Sequence, residues 1–92
     1  MDRTQNMYLH LGNNMVVSVS DVVTIIDIDK TTTSKTTRDF LTKAQKEGKV
    51  INVSDELPKS VVVCSYKGET KVYISQISPT TLQGRYGRFI GK

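Results

Sequence analysis

Apolar and polar positions alternate along much of this chain, and the period of that alternation predicts its elements. In Met7-Tyr8-Leu9-His10-Leu11 the residues Met7, Leu9 and Leu11 share one face and Tyr8 and His10 the other, which is the pattern of a half-buried strand. Gly12-Asn13-Asn14 follows as a turn, because Gly and Asn tolerate positive φ, and Met15-Val16-Val17-Ser18 returns as the second arm of a tight hairpin. After a polar corner at Ser18 to Asp21, residues Val22 to Ile28 are dense in β-branched side chains. They predict a strand near the centre of a sheet, with Asp27 and Asp29 on one face near its end. Lys30-Thr31-Thr32-Thr33 reads as a polar connection.

The period then changes. Thr33 or Ser34 is suited to cap a helix running to about Glu47, with Gly48 at the position just past its end. At 100° per residue Phe40, Leu41 and Ala44 form one stripe, joined by Thr37. Lys35, Arg38, Lys43, Lys46 and Lys49 occupy the opposite arc with Asp39 among them. Val50 to Val53 predicts a strand and Ser54 to Pro58 a loop. Lys59 to Ser65 and Lys71 to Ile77 are two further strands, rich in Val, Ile and Tyr, around a five-residue connection with a central Gly68. Ser78 before Pro79 is an N-cap followed by proline at the first helical position, so a short terminal helix begins there. The class is α+β: a small, mostly antiparallel sheet of short strands with one amphipathic helix and a terminal helical turn. Residues 7–84 form the domain, 1–6 a flexible start, and 85–92 a basic and aromatic tail loosened by glycine.

Ninety-two residues make one domain of modest size. With 37% hydrophobic residues, no Trp and two Phe, the core is thin, and association of subunits is a usual remedy. The single cysteine, Cys64, cannot form an internal disulfide. Neither a membrane-length apolar run nor a signal-like start is present, so a soluble, cytoplasmic protein is expected. Thirteen Lys and Arg against nine Asp and Glu give a net charge of +4, which hints at a polyanionic partner.

Catalysis finds little support. His10 belongs to the polar face of a strand, and Cys64 sits in a valine run where it behaves as a small hydrophobe. Asp27 and Asp29 lack a third oxygen ligand, and neither zinc spacing nor a phosphate-binding glycine loop occurs. No enzyme activity and no cofactor are expected. The helix cations offer a row of phosphate contacts, or serve as an ordinary solvated face. Arg85-Tyr86-Gly87-Arg88-Phe89 suits backbone contact with stacking, or packing on a neighbouring subunit.

Five stretches, in order, resemble the Rem family of bacterial extracellular matrix and biofilm regulators. They are Tyr8-Leu9-His10-Leu11-Gly12, Val16-Val17-Ser18, Glu47-Gly48-Lys49-Val50-Ile51, Pro58 to Val63 and Ile77 to Leu82. The first and fourth are more similar to the B-type member than to the A-type activator. The resemblance implies a DNA-binding transcription regulator whose subunits close into a ring, with a fold similar to the LytTR DNA-binding domain. It also implies DNA held by arginines before the third strand and in the loop before the second hairpin. Asp21, Glu56 and Leu57 occupy those positions here, and Lys59 alone keeps a cation beside them. The expected DNA contacts are therefore Lys59, Lys35, Arg38, Lys43, Lys46 and Lys49, all to phosphates, with sequence read through DNA shape. The alternative is a ring-forming interaction module that has lost DNA binding, and a mixed assembly with an arginine-bearing relative would join the two.

Overall fold

The computed structural model describes residues 7–28 and 35–90, with side chains as far as Tyr86. The expected flexible start, Asp29, the 30–33 connection, the Thr33 or Ser34 cap and the side chains of Arg88 and Phe89 lie outside the described residues. The elements run β1 (Tyr8–Gly12), β2 (Met15–Ser18), a single 3-10 turn (Val19–Asp21), β3 (Val22–Asp27), α1 (Lys35–Lys46), β4 (Val50–Asn52), β5 (Ser60–Tyr66), β6 (Glu69–Ser75) and α2 (Pro79–Ile90). β1 and β2 form one small sheet. The other has the order β3-β5-β6-β4, antiparallel except where β4 lies parallel to β6. The class is α+β, with two sheets of short strands and two helices among the described residues.

The β5–β6 hairpin is the centre of the molecule. Residues Ser60 to Cys64 are buried on both faces of the sheet, beyond the half-burial that strand composition alone suggests. Successive side chains point to opposite faces, so β5 feeds two cores. Val62 and Cys64 join Leu9, Leu11, Val17, Val19, Val53 and Leu82 beneath the β1–β2 hairpin and α2. Val61 and Val63 join Ala44 and Val72 beneath α1. Two buried serines hold the end of the sheet: Ser60 Oγ donates to the Ile77 carbonyl (2.9 Å), and Ser75 Oγ donates to the Leu11 carbonyl (2.7 Å). Each hydroxyl finds a partner, so their complete burial leaves no orphaned donor.

Three expectations are corrected. β3 is an edge strand, because the valine-rich β5 and β6 take the centre and leave Val23 and Thr24 in solvent. The connection between β5 and β6 has two residues, Lys67 and Gly68. Pairing continues to Tyr66 opposite Glu69, and both turn residues have positive φ (50° and 80°), as a type I′ turn requires. The terminal helix is not a short turn but runs to Ile90, carrying the first part of the expected loose tail onto the protein's own core. Tyr86 packs there, and the Arg85 guanidinium donates to the His10 carbonyl at 3.1 Å.

Other expectations hold. On β1, Leu9 and Leu11 are buried while Tyr8 and His10 are exposed. Gly12, at φ 113°, begins the turn, and a side chain there would meet the Gln76 amide at 2.7 Å. Ser78 Oγ accepts from the Thr81 N–H at 3.2 Å, capping α2 ahead of Pro79. Gly48, at φ 72°, closes α1. Its N–H donates to Gln45 and the Lys49 N–H donates to Ala44, the paired bonds of a Schellman motif.

Candidate nucleic-acid interface

The Schellman turn decides where the α1 cations lie. Immediately after it the Lys49 carbonyl accepts the Val72 N–H at 2.9 Å, which fixes the C-terminal end of α1 beside the start of β6. That is also the end of the sheet where β5 and β6 turn. Lys43 and Lys49 line a recess there with Phe40, Ala44, Glu47 and Thr70. Lys46 belongs to the same last turn of α1. Lys67 stands at the hairpin tip with its ammonium 5.4 Å from the Tyr66 ring centre, and Tyr66 is itself exposed. Lys71 follows on β6, 3.6 Å from the Glu69 carboxylate.

Reading the sequence missed Lys67, Lys71 and Tyr66 as members of this group. The signal was there: a lysine ahead of Gly in a turn between two valine-rich strands. The five-residue connection expected between those strands hides it.

The remaining expected cations lie elsewhere. Lys35, in the first turn of α1, bonds Asp39 at 2.8 Å, with both groups well exposed. Arg38 is exposed on the same helix. Lys59 is exposed at the start of β5, where its N–H donates to Ser75 and its carbonyl accepts from Ile28. Seven residues of strand separate Lys59 from Tyr66, roughly 23 Å at ~3.3 Å per residue. The six expected contacts therefore do not form one patch. Lys43, Lys46 and Lys49 converge at the hairpin-tip end, while Lys59 marks the opposite end.

The three positions where the Rem resemblance implies arginine are divided in the same way. Glu56 and Leu57 are exposed in the loop before Lys59. Asp21 precedes β3, whose first residue pairs with Cys64 near the hairpin tip. Its negative charge is felt on the hairpin-covered face of the sheet. Burial first, and the Asp21 charge second, push the Cys64 thiol up to about 11. The Tyr73 hydroxyl is raised by burial, then by Cys64 and Asp21.

The chain belongs to the family described as RemA-like, extracellular matrix regulatory protein A-like, whose model matches residues 8–86. The match opens with β1 and closes at Tyr86, the last α2 side chain described on the core. Among individual proteins, the chain is 40% identical over 79 residues to extracellular matrix regulatory protein B of Bacillus subtilis (strain 168). That alignment covers 86% of this chain and 89% of the relative. The closeness to the B-type member agrees with the quoted stretches. Among the described residues no helix is long and apolar enough to cross a membrane.

Proposed function

We propose that this protein is an oligomeric, cytoplasmic DNA-binding transcription regulator of extracellular matrix genes, gripping DNA mainly through its phosphates. The observation that carries the reading is the gathering of Lys43, Lys46, Lys49, Lys67 and Lys71 at one end of the sheet. Lys43, Lys46 and Lys49 against Glu47 give +2 on the α1 side and Lys67 at the hairpin tip raises it to +3, while Lys71 stands with Glu69 on the opposite face, which Asp21 also faces. Lys43, Lys46 and Lys67 make no ion pair among the described residues, so their ammonium groups are available to an anion. Lysine acts as a point charge without the planar fork of arginine, which suits backbone contact over base reading. Tyr66 beside Lys67 adds an exposed ring able to lie against sugar or base. The sheet with its two helices is, on this reading, similar to the LytTR DNA-binding domain.

Fluorescence anisotropy on a short duplex, titrated with salt, tests it. Each phosphate neutralised contributes about −0.9 to the slope of log K against log salt. Replacing Lys46 and Lys67 together by Gln is expected to weaken binding on every duplex and to lower the slope by about 2. No binding by the native protein at low ionic strength ends the reading. A second reading, a self-associating interaction module without DNA affinity, is favoured by Asp21, Glu56 and Leu57. That outcome would appear as an oligomer silent in the same titration.

A further inference from the structure

Edge strands offer unpaired backbone groups to other chains, and proteins ordinarily guard them with charge, proline or a covering element. β3 has only β5 as a neighbour among the described residues. Its run Val22-Val23-Thr24-Ile25-Ile26 has neither charge nor proline. The strand is flanked by an open groove on each face. On the α1 face a groove of about 340 Å³ is lined by Val23, Thr24, Ile26, Thr37, Phe40 and Val63, without a charged side chain. Val23 is 63% exposed, and Phe40, on the helix overhead, is 38% exposed. Phe40 also lines the recess that holds Lys43, so the apolar groove opens at that end onto a cation.

The same chain carries a side chain of matching character. Leu57, at 79%, has the largest exposed fraction among the exposed large hydrophobic residues described. It sits in the 53–59 loop and is followed by Pro58, which restricts the leucine's backbone to extended conformations and presents it outward. Two acidic residues, Asp55 and Glu56, precede it. The loop leaves β6 on its β4 side (the Val53 N–H donates to Ile74) and arrives on its β5 side (the Lys59 N–H donates to Ser75). It therefore crosses the end of β6, with β5 between it and β3, and Leu57 does not fill its own groove.

We infer that Leu57 of one copy of this chain seats in the β3–α1 groove of a second copy, with Glu56 directed toward the second copy's Lys43. Knob and groove are different surfaces, so the contact is head-to-tail. The apolar pair supplies attraction, and the acidic loop against the cationic end of the groove sets its orientation.

The inference rests on the proposed self-association, and light scattering without DNA tests the two separately. The native protein is expected to be larger than one chain. Leu57→Asp and Val23→Asp should each weaken association, about tenfold to a hundredfold for loss of one buried leucine-sized contact. Mixing the two variants should restore association, because Leu57→Asp keeps an intact groove and Val23→Asp an intact knob. As a readout that needs no destabilising change, Leu57→Cys and Thr24→Cys proteins are mixed and oxidised. A disulfide-linked pair specific to the mixture supports the joint, with the buried Cys64 of the native protein as background. A native oligomer whose mass ignores both Asp substitutions, or a mixture that does not cross-link, overturns the joint alone. A monomeric native protein overturns self-association as well.

Discussion

Cys64 shows how one residue reports on the core around it. The thiol is 5% exposed and lies near the negative Asp21, so its neutral form is favoured, and its pKa rises from the ordinary 9.0 to about 11. In the window between those values the folded chain holds a proton that the unfolded chain has lost, and stability therefore falls as pH rises. The stabilising contribution is complete below pH 9 and is lost as pH passes about 11. Tyr73, raised by the same surroundings, acts in the same direction further into alkali. Thermal unfolding measured from pH 8 to 11 is expected to show a falling midpoint above pH 9. Cys64→Ala should flatten that decline strongly, and Asp21→Asn should flatten it to a smaller extent because the charge is the lesser cause. Equal alkaline declines in all three proteins would contradict this account.

At the scale of elements, local chemistry made most of the fold legible and long-range order hid the rest. The alternation in β1, the Ser78–Pro79 start of α2 and the Gly48 stop of α1 are all set by near neighbours, and the structure shows each where the pattern placed it. The edge position of β3 depends on which strands pair, and β-branched density alone does not distinguish a central strand from an edge strand that awaits a partner. The lysine group at the hairpin tip was missed for a related reason: its members are separated in sequence and meet only through the parallel pairing of β4 with β6.

Lys67 carries the sharpest consequence at this scale. It holds φ 50° at the first position of a type I′ turn, a place that favours Asn or Gly. On the proposed reading, lysine is kept there for its charge at a cost in fold stability. Lys67→Asn is therefore expected to raise stability, by about 0.5 to 1 kcal/mol in urea unfolding, while weakening DNA binding and lowering the salt slope by about 1. A variant that gains stability and keeps full DNA affinity would remove Lys67 from the interface.

For the whole molecule, the proposed function and the inferred joint assign the lysine end and the β3 groove different tasks, and their separation can be measured. On the proposed reading one chain brings a handful of lysines to DNA, which would give weak and salt-sensitive binding by itself. Joined copies would present several such ends to one duplex, and each added contact would become intramolecular, so affinity would rise far beyond that of a single chain. Leu57→Asp leaves every lysine in place. It is expected to lower DNA affinity only by dissolving the assembly, and the loss should shrink as protein concentration is raised. The Lys46 and Lys67 substitutions are expected to do the reverse, leaving mass in light scattering unchanged while weakening binding equally at all protein concentrations. Running both sets through light scattering and anisotropy over a hundredfold range of concentration separates the two effects. If Leu57→Asp lost DNA affinity while keeping its native mass, the leucine would belong to the DNA surface, and the β3 groove would need a different occupant.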